Sequence, residues 1–214
     1  MHVAIICSDK NHPIYPHLIE WCDRNRLKHV TSLFTSVKDI TQGGDILFLI
    51  SCSEIVRDTV RNAFRYTLVL HASDLPRGRG WSPHIWDIIN GSSELTLSLL
   101  NADDRVDTGD IWKKVRIQLD GSELYDEINE KLFNAELMLM DWACKNIAST
   151  QPQKQSDTLV NYYKKRTSID SEIDIEKSIK SQFNLLRVCD PDRYPAYFII
   201  NNQKYKIKLE KMHD

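Results

Sequence analysis

The sequence predicts an α/β fold, with a mostly parallel sheet, flanking helices and a small C-terminal helix plus β-hairpin extension. Three observations carry this. Short apolar runs alternate with amphipathic stretches through the first half, the pattern of successive βαβ units. The run Asp45 to Ile50 is apolar after its first residue, as suits a central strand covered on both faces. Near the C-terminus, two strand-like runs flank Asn201-Asn202, a dipeptide that favours a tight hairpin.

Taken in order, Val3 to Cys7 is expected as the first strand, Pro13 to Arg26 as a helix with Leu18, Ile19, Trp21 and Cys22 near helical spacing, and Val30 to Phe34 as the second strand. Gly43-Gly44 turns the chain into the strand Asp45 to Ile50, and Ser51 or Ser53 is placed to cap a helix running to about Phe64. Tyr66 to Leu70 is the next strand. Pro83 opens a helix from His84 to Asn90, Gly91 ends it, and strands follow at Glu94 to Leu100 and Ile111 to Leu119. Ser122 to Ile147 carries Leu124, Ile128, Leu132, Phe133, Leu139, Ala143 and Ile147 as one apolar stripe, the mark of a long packed helix. Residues 148–158 are polar and read as a surface connector. Glu172 to Asn184 is expected as a helix, and strands Ala196 to Ile200 and Lys204 to Leu209 form the hairpin. The natural division is therefore 1–150 and a 151–214 extension.

Composition narrows the function classes. The chain has 214 residues and a mass of 24.9 kDa, enough for one sizeable core but not for two full domains. Lys and Arg number 28 against 30 Asp and Glu, a net charge of −2, so no general field attracts a polyanion. The mean hydropathy is −0.41, the apolar run Ile46 to Ile50 is strand-sized, and the N-terminus lacks a basic, long-apolar leader, so a cytoplasmic location with no membrane partner is expected. Five scattered cysteines without a C-x-x-C pair argue against a disulfide framework and a zinc site, and are expected as buried thiols. Neither GxGxxG nor GxxxxGK[ST] occurs, which weakens dinucleotide and nucleoside-triphosphate readings.

The stretch His71 to Pro83 is the most unusual in the chain. His71 ends a strand and begins a loop rich in Gly, Pro and Arg, where a histidine can move protons near neutral pH; a loop histidine bonded to backbone is the plain alternative. Asp107, in Val106-Asp107-Thr108-Gly109-Asp110, is the best partner to orient it. Arg77 and Arg79 are candidates to grip a phosphate or carboxylate, or else are solvated loop arginines. Trp81 and Trp86 offer an apolar wall, or ordinary packing. Tyr162-Tyr163-Lys164-Lys165-Arg166 is a basic and aromatic cluster of the kind usually found on a solvated face. His12 and His17 lack a helical metal-binding spacing.

The run His71-Ala72-Ser73-Asp74-Leu75-Pro76-Arg77-Gly78-Arg79-Gly80, then Pro83, Trp86 and Asn90-Gly91, then Asp107-Thr108-Gly109-Asp110-Ile111, resembles the signature of the folate-dependent formyltransferases. The resemblance is densest from Tyr66 to Trp112 and extends to Tyr162 to Arg166 and Arg193 to Phe198, which look like the tail of the short bacterial sugar-nucleotide N-formyltransferases of the pseudaminic-acid type. It implies a Rossmann-like catalytic domain over 1–150, N10-formyltetrahydrofolate as co-substrate, no metal, and catalytic roles for His71 and Asp107. It also implies a folate site from Leu49, Ile50, Ser51, Cys52, Ser53, Asp103 and Asp104, and acceptor contacts from Ser73, Arg77, Arg79 and Trp81. Where the family carries an Asn two residues before the histidine, this chain has Val69. Oxyanion stabilisation then falls to protonated His71, a backbone N–H, Ser73 or water.

The expected acceptor is a UDP-linked 4-amino-4,6-dideoxy sugar, because the charge of −2 and the short stretch after Ile147 suit a small nucleotide-sugar better than tRNA or another nucleic acid. The alternatives are a non-catalytic folate- or nucleotide-binding relative and a formyltetrahydrofolate hydrolase. The hairpin edge also offers a surface for a possible homodimer.

Overall fold

Val3, Ile5, Ile46, Phe48 and Leu68 are almost wholly excluded from solvent on one face of a central sheet, while Ala4, Ile6, Leu47 and Leu49 fill the other. The computed structural model describes residues 1–156 and 158–212. Asp157, in the predicted connector, and His213 and Asp214, at the end of the predicted extension, lie outside the described residues. The sheet is built from β1 (His2–Ile6), β2 (Val30–Phe34), β3 (Gly44–Leu49), β4 (Phe64–His71), β6 (Glu94–Asn101) and β7 (Ile111–Gln118), in the order β2-β1-β3-β4-β6-β7. The first four are parallel; β6 runs antiparallel to β4 and β7 antiparallel to β6. The expected α/β, mostly parallel, Rossmann-like architecture with its C-terminal hairpin is thus observed.

Helix α1 (Tyr15–Asn25) links β1 to β2, and α4 (Tyr125–Asn146) lays Ile128, Leu132, Phe133, Leu139 and Ala143 into the larger core. Pro83 opens α3 (Pro83–Ile89) at the position where a missing N–H costs nothing. The helix expected from Ser51 to Phe64 is reduced to the four residues of α2 (Asp58–Arg61). Ser51 turns the chain with a φ of 47° and its hydroxyl bonds His12 Nε2 at 3.1 Å, so it shapes a loop instead of capping a helix. Likewise α5 spans Ile179–Arg187, with Ser178 as its cap, and residues 172–178 are irregular. Of the cysteines, Cys7 and Cys189 are buried and Cys22, Cys52 and Cys144 only half-buried, because these three sit where a core edge meets solvent.

The extension is stitched to the sheet domain. Strand β5 (Arg79–Gly80) pairs with β8 (Tyr162–Tyr163), and Gln153 exchanges backbone bonds with Ile111. Arg187, 2% exposed, reaches the Glu123 carbonyl at 3.3 Å and its carboxylate at 3.5 Å. Burial works to raise the Glu123 pKa, but hydrogen bonds from Lys131 and from backbone amides win and take it to about 2. The hairpin β9 (Ala196–Ile200) and β10 (Gln203–Ile207) turns at Asn201-Asn202, both with positive φ, as a two-residue turn of this kind requires. Among the described residues, no helix is long and apolar enough to cross a membrane.

Candidate active site

Strand β4 alternates its side chains, so Val69 and His71 share one face and Leu68 and Leu70 the other. His71, 8% exposed, closes the strand where the chain enters the loop to β5. Its Nε2 donates to Gly78 O at 2.8 Å, since a carbonyl can only accept. Nδ1 faces Asp107 Oδ1 at 3.4 Å. That separation is longer than a settled hydrogen bond, which leaves Nδ1 as the place where an added proton would be held, shared with the carboxylate.

Asp107 is held from several directions. Its φ of 61° is a left-handed conformation that Asp tolerates better than most residues. Its Oδ2 accepts from Gly80 N at 2.9 Å, and its carbonyl accepts from Gln155 Nε2 at 2.9 Å. Gln155 also donates to Gly109 O at 2.8 Å and accepts from Arg79 Nη2 at 2.7 Å. Two glycines make this approach possible. A Cβ on Gly80 would lie 2.4 Å from Tyr163 O, and one on Gly109 2.0 Å from Asn101 O.

On the other side of His71 opens a cleft of about 450 Å³ at the C-terminal ends of the parallel strands, where open α/β sheets place ligands. Its walls include Trp81, Tyr125 and Tyr194, its rim the cations Lys165, Arg166 and Arg193, and its interior His12, His84 and Glu136. Burial and the nearby Arg193 push His12 down to about 4, against the opposing pull of Asp9. Burial pushes His84 down to about 4 as well, with His71, His12 and Arg166 adding to it. Burial alone pushes Glu136 up to about 8.

The expected residues distribute unevenly around this geometry. His71, Ser51, Cys52, Ser53 and Trp81 line the cleft, and Asp107 stands directly behind His71. Leu49 and Ile50 lie in the core beneath the cleft, 8% and 0% exposed. Ser73 is buried beneath Gly78, with its Oγ unpartnered. Arg77 is exposed away from the lining, and the Arg79 guanidinium turns inward to Gln155 and the Tyr162 hydroxyl. Asp103 and Asp104 sit on the outer loop, where Asp104 and Asp58 pair with Arg61 beside a second, shallow groove. Trp86 stacks on Tyr163 and donates to Lys164 O, so it packs. The basic cluster is more than a solvated face, because Lys165 and Arg166 reach the cleft.

Sequence reasoning missed His12, His84, Gln155 and Glu136. A signal existed for Glu136: it stands four residues after Leu132 on the apolar stripe of α4, where a carboxylate has no packing reason to be. Gln155 had none, its partners being distant in sequence.

The family model described as "Formyl transferase" matches residues 2–142. A methionyl-tRNA formyltransferase of Rickettsia prowazekii is 34% identical over 167 residues, covering 76% of this chain and 54% of its own length. The chain thus spans about half the length of that curated relative. Among solved structures, a methionyl-tRNA formyltransferase from Clostridium thermocellum superposes with a TM-score of 0.83 at 21% identity, covering 100% of this chain and 94% of that one. A sugar N-formyltransferase from a Shewanella species gives 0.73 at 18%, covering 100% and 99%. HypX from Aquifex aeolicus in complex with tetrahydrofolic acid gives 0.75 at 16%, covering 94% and 36%. At these identities the structural likeness speaks for the fold.

Proposed function

The chain belongs to the formyl transferase family, and from that premise we propose that it moves a formyl group from N10-formyltetrahydrofolate to the amine of a small nucleotide-linked amino sugar, of the UDP-4-amino-4,6-dideoxy kind. The observation that carries this reading is the placing of the His71–Asp107 pair at the wall of a roughly 450 Å³ cleft rimmed by Lys165, Arg166 and Arg193. A cleft of that size suits a small ligand. Three cations answer a diphosphate, and Asp9 and Asp190 among them would repel an extended polyanion.

The residues present fit a folate in kind. Apolar Ile55 and Val56 flank the Asp58–Arg61–Asp104 cluster in the outer groove, a mixture of aliphatic flanks and carboxylates suited to a heteroaromatic ring with amino donors. Ser51, Cys52 and Ser53 line the cleft together with His71. When bound, the co-substrate supplies an activated formyl carbon.

As the acceptor amine bonds to the formyl carbon, His71 takes the amine proton and gives it to the folate N10 as the carbon–N10 bond breaks and tetrahydrofolate leaves. The proton is held at Nδ1 against Asp107, while Nε2–H stays on Gly78 O, so both N–H bonds of the imidazolium have acceptors. Asp107, fixed by Gly80 N and Gln155, meets that charge without rearranging. Val69, paired with Leu49 and packed in the second core cluster, offers no hydrogen-bond donor.

The test is a formyl-transfer assay with purified protein, N10-formyltetrahydrofolate and a UDP-linked 4-amino sugar, with charged methionyl-tRNA as the competing acceptor. Transfer to the sugar amine supports the reading. Transfer to tRNA alone supports the second reading, which the name of the Rickettsia relative favours. Formate release indifferent to any acceptor indicates hydrolysis, and folate binding without turnover a non-catalytic relative.

A further inference from the structure

Among the described residues, one acidic side chain of the cleft has no protein partner to explain it. Glu136 projects from α4, is 7% exposed and lines the cleft; its Oε2 is buried without a hydrogen bond. Glu123, on the loop before α4, follows the opposite habit and is saturated by Lys131, Arg187 and backbone amides. His84, also in the cleft, has a buried and unpartnered Nδ1. Unsatisfied buried polar atoms are rare and costly. Three such atoms, Glu136 Oε2, His84 Nδ1 and Arg166 Nε, belong to residues lining the same cleft, and those of Glu136 and His84, inside the cationic rim, mark an interior waiting for polar groups from a ligand.

We propose that Glu136 and His84 form an acceptor-binding floor that takes an uncharged, hydroxyl-bearing ring, while the rim cations take the anionic part of the same molecule. The division follows from charge. At neutral pH burial keeps Glu136 a carboxylic acid, which offers one O–H donor and one acceptor oxygen, and keeps His84 a neutral imidazole with one of each. Such a pair complements hydroxyls, which also donate and accept, and has no charge to offer a phosphate. The inference rests on the sugar-nucleotide reading above and names the residues that would select the sugar within it.

Steady-state kinetics of Glu136→Gln and Glu136→Leu decide the matter. The amide preserves one donor and one acceptor, so Glu136→Gln is expected to keep the acceptor KM within about threefold. Glu136→Leu is expected to raise the acceptor KM by roughly tenfold or more, one to two lost hydrogen bonds, with the folate KM unchanged. Its Tm should be equal to or above wild type, because a buried unpaired carboxyl has been removed. An unchanged acceptor KM in Glu136→Leu overturns the proposal, as does a rise accompanied by a lowered Tm. If wild type formylates no sugar nucleotide, the underlying reading has failed, and a thermal-shift comparison of hydroxyl-rich with apolar amines tests the floor separately. Hydroxyl-rich amines that stabilise wild type and Glu136→Gln but not Glu136→Leu uphold it. Equal shifts in all three proteins, or no stabilising amine, overturn it.

Discussion

The two sides of His71 are built on opposite principles. Behind the ring, the groups that position Asp107 are bonded to one another: Gly80 N on its carboxylate, Gln155 on its carbonyl, Arg79 Nη2 on Gln155, and Gly78 O on the imidazole itself, with Ser73 Oγ and Arg79 Nε left over. In front of it, within the cleft, Glu136 Oε2 and His84 Nδ1 have no partner among the described residues. A network of mutual bonds around Asp107 holds a fixed geometry, which is what proton transfer requires; unbonded atoms that face a cleft leave their energy to be gained when a ligand arrives. The same chain thus separates preorganisation from recognition on the two sides of one imidazole, by whether its polar groups bond each other or face the cleft.

Four experiments break or sharpen that contrast. His71→Ala or Asp107→Ala removes the bonded wall's chemical core and is expected to lower kcat by about 10²–10⁴-fold, with the circular dichroism spectrum retained. Full turnover in either variant would remove the proton-transfer role. Val69→Asn introduces a donor on the face of β4 that carries His71, and is expected to raise kcat by up to about 10²-fold. No gain would mean that the oxyanion already has its donor elsewhere. Gln155→Ala loosens Asp107 without touching a substrate, so kcat should fall by about 10-fold while both KM values hold. A KM effect of equal size would place Gln155 in binding and not in positioning.

The smallest effect concerns stability against pH, measured by urea unfolding. Glu136 has a folded pKa near 8, above the unfolded value of 4.5, so the folded state holds its proton more tightly. That contribution is fully present below about pH 4.5 and is lost as pH rises through about 8. Glu123 has the opposite sign. Its folded pKa near 2 lies below 4.5, so its contribution is present above 4.5 and lost as pH falls toward 2. Wild type should therefore lose stability between pH 5 and 9 in a way that Glu136→Gln abolishes, while Glu123→Gln flattens only the acid side. Identical slopes in Glu136→Gln and wild type would show that the carboxyl is not buried as described.

What the sequence disclosed follows the range of the forces involved. Continuous apolar runs such as Ile46 to Ile50 report burial on two faces directly, and Pro83 and Gly91 bracket α3 because backbone geometry is local. The expected helix after Ser51 failed for a non-local reason: Ser51 bonds His12, 39 residues away, and the capping pattern never competes. His71 and Asp107 were legible as a motif, but their contact was not, and Gln155 lay in a stretch read only as connector. Glu136 was legible in principle, as a carboxylate standing on an apolar stripe. A broken local rule is where functional residues are expected.

The stretch that carries Gln155 has a practical consequence. Gln151, Gln153 and Lys154 are exposed, on a stretch whose flanking segments are also joined by the β5–β8 pairing and by Arg187 on Glu123. A single protease cut there would leave both pieces associated and the spectrum of a folded protein, yet free the strut behind Asp107. Nicked material should therefore co-migrate with intact protein under native conditions while its turnover falls, so that inactivation precedes dissociation in a digestion time course.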